Sequence, residues 1–166
     1  SKVYGSWSKW TINKSSSGTT IAASGGSGTV SAPTAIRTRS YTWNGTGTSY
    51  TEQGTGTPTL TKQSGDGSFS VSGTTATVSY GNNTTISSKS TVVRATMDTE
   101  YVDTTFTQSA GSKVYGSWSI WSVYCNASSF TVSASGGSVT IYSGASRSRS
   151  WTWNGVSGSG GTESES

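Results

Sequence analysis

The chain has 166 residues, with 11 basic and 7 acidic side chains and a net charge of +4. Ser, Thr and Gly dominate, 30% of residues are hydrophobic, and there is one Cys and no His. This composition excludes His-dependent nucleophile systems, an internal disulfide framework and a cysteine-based zinc site. No apolar run approaches the roughly 18 residues of a membrane-spanning helix.

Taken in chain order, the predicted elements are all strands. Residues 2–10 and 11–13 read as an opening strand pair. Residues 19–23 run into the turn Ser24-Gly25-Gly26, and residues 28–32 follow it. Ala35–Trp43 alternates in character and ends at Asn44-Gly45, a strong hairpin-turn dipeptide. Residues 50–60 read as a loop leading into a strand. Residues 69–71 and Thr75–Tyr80 flank a turn at Ser72-Gly73-Thr74, and residues 81–84 form another turn. Residues 91–97 and 101–108 close the series around Asp98-Thr99-Glu100. Abundant Thr, Val and aromatics favour strands, and no stretch carries the 3.6-residue apolar period of a helix. Residues 156–166 have neither alternation nor aromatics and are expected to be a flexible tail or linker.

A long internal repeat organises these elements. Residues 1–10, SKVYGSWSKW, return as residues 112–121, SKVYGSWSIW. Residues 37–45, RTRSYTWNG, return as residues 147–155, RSRSWTWNG. The two offsets are 111 and 110, so one residue is lost between the matches. That period exceeds a solenoid unit and suits a β-sandwich module of roughly 100 residues. Seven or more short strands with a turn signal every 8–12 residues complete the pattern. The expected fold is all-β, as tandem immunoglobulin-like β-sandwich modules with the second incomplete. Residues 1–111 form the complete module and 112–155 the first half of the next. A half-module lacks its closing strands, so the natural chain is expected to continue, or a neighbour to donate them.

Residues 91–111, TVVRATMDTEYVDTTFTQSAG, resemble the closing strands of bacterial immunoglobulin-like modules, especially those called BACON domains. The positions that match are Thr105, Thr107, Gln108 and Gly111. Such modules occur in surface and secreted proteins of gut Bacteroidetes and in virion proteins of their crAss-like phages. The resemblance implies a virion-surface or extracellular location, or a bacterial cell surface. It supplies no catalytic or ligand residues.

The candidate site is the alternation Arg37, Arg39, Tyr41, Trp43 and its copy Arg147, Arg149, Trp151, Trp153. Period 2 puts each set on one face of a strand. Trp7, Trp10, Trp118 and Trp121 lie on the neighbouring repeated segment. Guanidinium groups stack on indole faces for ~0.5–2 kcal/mol a pair, so a Trp/Arg ladder is expected. Residues 118–122, WSIWS, resemble the WSxWS motif of cytokine-receptor fibronectin-type domains, where Trp and Arg interleave. The functional alternative is an aromatic platform for sugar rings. The structural reading is preferred, because alternating Arg and Trp satisfy one another.

Asp98, Glu100 and Asp103 cluster at one turn, but a glycosidase needs two carboxylates facing each other across a cleft. They read as a solubilising turn or a weak Ca²⁺ contact. The glycine-rich run at residues 24–28 lacks the Lys and the helix of a phosphate loop. Asn13, Asn44, Asn82, Asn83 and Asn126 each open a glycosylation sequon, of consequence only in a eukaryotic secretory setting. Cys125 reads as a small, partly buried apolar residue.

These readings predict a non-enzymatic virion structural or display protein: a capsid decoration, head fibre or tail component with weak adhesion to glycans. The alternatives are a bacterial adhesin or carbohydrate-binding module, and a ligand-free spacer. No cofactor and no metal are expected. Expected partners are other virion or surface proteins, in a homo-oligomer or with a strand-sharing neighbour, and glycans. Nucleic acid is not among them, since the basic residues are scattered apart from the two Arg-x-Arg pairs, and neither is a membrane, since no apolar run is long enough to span one.

Overall fold

The computed structural model describes residues 1–13 and 18–166, and every regular element in them is a β-strand. The chain divides into two units, Ser1–Gly111 and Ser112–Ser166.

The first unit holds β1 (Lys2–Tyr4), β2 (Thr11–Ile12), β3 (Thr19–Ile21), β4 (Gly26–Ser31), β5 (Ala35–Trp43) and β6 (Thr46–Gly56). It continues with β7 (Thr59–Ser64), β8 (Ser68–Ser72), β9 (Thr75–Tyr80), β10 (Lys89–Met97) and β11 (Glu100–Gln108). Two of its sheets enclose a common core, as in a β-sandwich. One runs β3-β11-β10-β7, with β3 parallel to β11, and the other runs β4-β9-β8. Alternation along the strands fills the space between them. Val93 of β10, Phe106 of β11 and Ile21 of β3 meet Ala76 and Val78 of β9, with Val30, Leu60, Phe69 and Tyr80 packed around them. Full burial of side chains such as Val78, Val93 and Phe106 is worth about 1.5–3 kcal/mol each.

Buried side-chain amides tie the loops at the end of this core, although Gln108 Oε1 has no hydrogen-bond partner. The Gln108 amide donates to Ala22 O at 3.2 Å, Ala23 O at 3.3 Å and Gly81 O at 2.7 Å. Asn83 is wholly buried and donates from Nδ2 to Ser87 O at 2.9 Å and Ser109 O at 3.0 Å. It is therefore a loop clamp, closed to glycan attachment. The sequon at Asn13 runs through Lys14 and Ser15, which lie outside the described residues.

A third sheet adjoins the sandwich, with Ile12 of β2 and Ala35 of β5 buried. In it β5 is flanked on one edge by β1 and β2 and on the other by β6. The opening segment is therefore not a strand pair: β1 faces residues 41–43 of β5, and β2 faces residues 35–36. Residues 46–56, part of which reads as loop in the sequence, form the eleven-residue strand β6. Its Thr and Gly content hides a strand whose side chains and glycines alternate against β5. The Gly25-Gly26 turn joins strands of opposite sheets, since β3 pairs with β11 and β4 with β9.

The second unit holds β12 (Lys113–Tyr115), β13 (Ser122–Cys125), β14 (Ser143–Trp153) and β15 (Gly161–Glu165). It rebuilds the third sheet alone: β12 and β13 pair with one edge of β14, and β15 with the other. The expected flexible tail is thus a strand from residue 161 onward. In it Glu163 and Glu165 stand opposite Arg149 and Arg147. Cys125 is exposed, because nothing within this unit covers the outer side of β13.

Candidate functional site

Strand β5 sets the site. Its pleat puts Arg37, Arg39, Tyr41 and Trp43 on one face. Opposite them on β1, Lys2 stands across from Trp43 and Tyr4 from Tyr41. Beyond Tyr4 the edge leaves regular pairing. Gly5 N donates to Ser40 O at 2.9 Å. A Cβ at Gly5 would lie 2.8 Å from Ser40 Oγ, so a side chain there would have to turn that hydroxyl aside. Ser8 then takes over the ladder: its N–H donates to Thr38 O at 2.7 Å, and its Oγ accepts from Thr38 N at 2.9 Å. This detour swings Trp7 and Trp10 across the face of β5 and onto β6. A Cβ on Gly54 would be 3.2 Å from the tip of Trp7, and one on Gly56 2.9 Å from the tip of Trp10.

The result is a ladder in the order Trp10, Arg37, Trp7, Arg39, Tyr4. The Arg37 guanidinium carbon lies 4.5 Å from the Trp10 ring centroid and 4.6 Å from Trp7. That of Arg39 lies 4.4 Å from Trp7 and 3.6 Å from Tyr4. Glu52, opposite Arg39 on β6, accepts from its Nε at 2.5 Å, with Lys2 Nζ 3.9 Å from the other oxygen. Arg37 faces Gly54 instead, and its buried Nε has no hydrogen-bond partner.

Tyr41 and Trp43 sit beyond the Arg/Trp alternation, at an aromatic end of their own. Tyr50 of β6 stacks on Tyr41 at 5.5 Å and 22°, and Tyr4 meets Tyr41 at 6.1 Å. Lys2 Nζ lies 4.3 Å from the Tyr41 ring and 5.8 Å from Trp43. Trp43, Tyr50 and Tyr4 are all exposed.

The second unit repeats the ladder. Arg147 lies 4.8 Å from Trp118 and 4.7 Å from Trp121, and Arg149 lies 4.5 Å from Trp118 and 3.8 Å from Tyr115. Ser119 plays the part of Ser8, donating from N to Ser148 O and accepting from Ser148 N. Glu163 accepts from Arg149 Nε at 2.5 Å, and Glu165 pairs with Arg147. Lys113 Nζ stands 4.1 Å from Trp151, which meets Trp153 edge-on at 5.8 Å. Gly161 replaces Tyr50 opposite this end.

All twelve expected residues therefore lie on these two sheets, eight of them in Arg/Trp stacks and four at the aromatic ends. Sequence reasoning missed Lys2, Tyr4 and their copies, and the carboxylates Glu52, Glu163 and Glu165. A signal existed: the dipeptide Thr51-Glu52 returns as Thr162-Glu163 at the 111-residue offset.

The acidic trio does not converge. Asp103 is held by Arg94 through two hydrogen bonds, Nε to Oδ1 at 2.8 Å and Nη2 to Oδ2 at 3.0 Å. These bonds hold the Asp103 carboxyl below its ordinary range and push Arg94 up. Glu100, three residues earlier on β11, points to the other face, and Asp98 sits in the turn with φ 50°. Among the described residues no group of three or more His, Cys, Asp or Glu side chains is placed to hold a metal ion.

No protein-family model, curated protein or solved structure matches the chain.

Proposed function

We propose that the chain is a non-enzymatic structural and display element of an extracellular assembly, built from immunoglobulin-like modules in tandem. The observation that carries this reading is the ladder itself. Each guanidinium is stacked between two rings, and three of the four are also paired with a carboxylate. Such a site has its cations and π faces already occupied, which suits a rigid structural surface. The strand order of the first unit supports the module assignment. The β4-β9-β8 sheet corresponds to strands B, E and D of an immunoglobulin fold, and β7-β10-β11 to C, F and G. In that frame the ladder hairpin is an insertion between strands B and C. The BACON-like closing strands point to the virion surface of a phage, as a capsid decoration, head fibre or tail protein.

A second component of the reading is weak glycan adhesion, favoured by one observation. The aromatic end at Trp43 and Tyr50 is exposed, 51% and 47% respectively, and outside the closed ladder. Sugar CH faces stack on such rings, and multivalent display would offset a weak single site. A bacterial surface adhesin or carbohydrate-binding module would use the same rings.

The test is a glycan array probed with a multivalent form of the chain and with its Trp43→Ala/Tyr50→Ala variant. Binding that the variant loses by tenfold or more is the expected result. A chain that binds no glycan in multivalent form is a ligand-free spacer, and the adhesive component then fails.

A further inference from the structure

The segment between β13 and β14 is the counterpart of β3 and β4. Residues 135–138, SGGS, repeat residues 24–27, and the backbone repeats with them. Gly25 and Gly26 have φ of 107° and 148°, and Gly136 and Gly137 have 100° and 146°. Gly25 N donates to Ala22 O at 3.1 Å and Gly136 N to Ser133 O at 2.9 Å. This shared turn sets the register. Val132 stands where Ile21 stands, and Ile141 where Val30 stands.

Their surroundings differ completely. Ile21 is 3% exposed, whereas Val132 is 51% and Ile141 58% exposed. The first unit shows what covers such positions: β3 pairs with β11, β4 pairs with β9, and Phe106 and Val78 fill the space between. Residues 112–166 contain no strands of that kind.

Two size changes specify the missing side. Thr19 and Gly28 of the first unit become Phe130 and Val139 in the second. In the first unit Thr19 stands directly beside Phe106 in the parallel pair. A Cβ on Gly28 would lie 2.7 Å from Thr19 Cγ2 and 3.0 Å from the Phe106 ring. The Phe106 ring thus occupies room that Thr19 and Gly28 leave. Phe130 and Val139 add about seven side-chain heavy atoms there, about the size of the phenyl-bearing side chain itself, and packed cores reward conserved volume.

We propose that the face of residues 130–141, where Val132, Val139 and Ile141 are exposed and Phe130 is half-buried, docks a β-strand segment lying outside residues 1–166. The segment is of the β7–β11 kind and carries a small residue, such as Ala or Gly, at the position of Phe106. A second copy of this chain is a poor occupant: its own β7–β11 bears Phe106 and is already committed to its own core.

The test appends a copy of residues 56–111 after Ser166, once unchanged and once with Ala in place of the appended Phe. Hydrogen exchange is then followed over residues 128–142, with residues 19–31 as the folded internal reference. The Ala form is expected to slow exchange in 128–142 at least tenfold, and the unchanged form to do so much less. Equal protection by both overturns the size rule, and protection by neither overturns the docking face. A 166-residue chain that is already protected there and dimeric by sedimentation also overturns it, because a second copy is then the occupant. An independent check uses the first unit. Thr19→Phe/Gly28→Val and Phe106→Ala should each lower its urea midpoint, and the triple variant should recover part of the loss. An additive loss in the triple variant overturns the volume exchange.

Discussion

Arg37 and Arg147 hold equivalent places in the two ladders and differ in one partner. Arg147 has Glu165 across from it, whereas Arg37 has Gly54 and a buried, unbonded Nε. An unmet buried donor costs about 1–3 kcal/mol, and a glycine inside a strand costs roughly 0.5–1 kcal/mol more than a residue with a side chain. Against this stands a Cβ contact of 3.2 Å with the tip of Trp7. That contact can relax, because Trp118 in the second unit accommodates a glutamate at the same place. The gain should win: Gly54→Glu is expected to stabilise the first unit by about 1 kcal/mol, seen as a higher urea midpoint. A lower midpoint would show that the indole cannot give way. Gly56 is the contrasting case, with Met97 and Trp10 both within 3 Å of the position a Cβ would take, and no arginine waiting for a partner.

At the scale of elements, the hairpin β14–β15 shows what the sequence displays and what it hides. The alternation of Arg and aromatics on β5 and β14 is plain, because period 2 is written directly in the residues. The Asn-Gly turns are equally plain, and both asparagines take the left-handed φ such turns require, 54° at Asn44 and 55° at Asn154. The outer strand is hidden for two physical reasons. Its side chains are short or absent wherever an indole lies across it, so β6 reads as loop. In the second unit the path from Trp151 to its partner Gly161 is one residue longer than that from Tyr41 to Tyr50, and Ser159 Oγ replaces a strand partner by accepting from Trp153 N at 3.0 Å. That extra residue restores the 111-residue offset, but only beyond a Gly/Ser run that resembles a linker. If the Arg–Glu pairs hold β15 in place, Glu163→Gln/Glu165→Gln should loosen it. Two partly exposed pairs are worth about 1 kcal/mol together, so amide exchange over residues 161–165 should accelerate roughly fivefold. The same acceleration should follow from high salt in the parent chain. Unchanged exchange in the double variant would mean that backbone pairing alone keeps the strand.

At the scale of the whole chain, the two units contain the same ladder sheet but differ in everything beneath it. All the fully buried apolar side chains among the described residues lie in the first unit, from Ile12 to Phe106. The second unit leaves Val123 76% exposed where its counterpart Ile12 is 2% exposed. Its order therefore rests on strand pairing, five or so cation–π contacts and two ion pairs, each worth about 1 kcal/mol or less at exposed sites. The first unit has those and a hydrophobic core, which stabilises it far more than they do. Pulse-labelled hydrogen exchange along a urea gradient should consequently show residues 113–165 losing protection at lower urea than residues 19–108. Phe106→Ala, which empties the centre of the core, should cost the first unit about 3–5 kcal/mol and leave the midpoint of the second unchanged. If both midpoints fell together, the ladder sheet of the second unit would be drawing its stability from the sandwich of the first, and its capacity to fold on stacked Arg and Trp alone would be refuted.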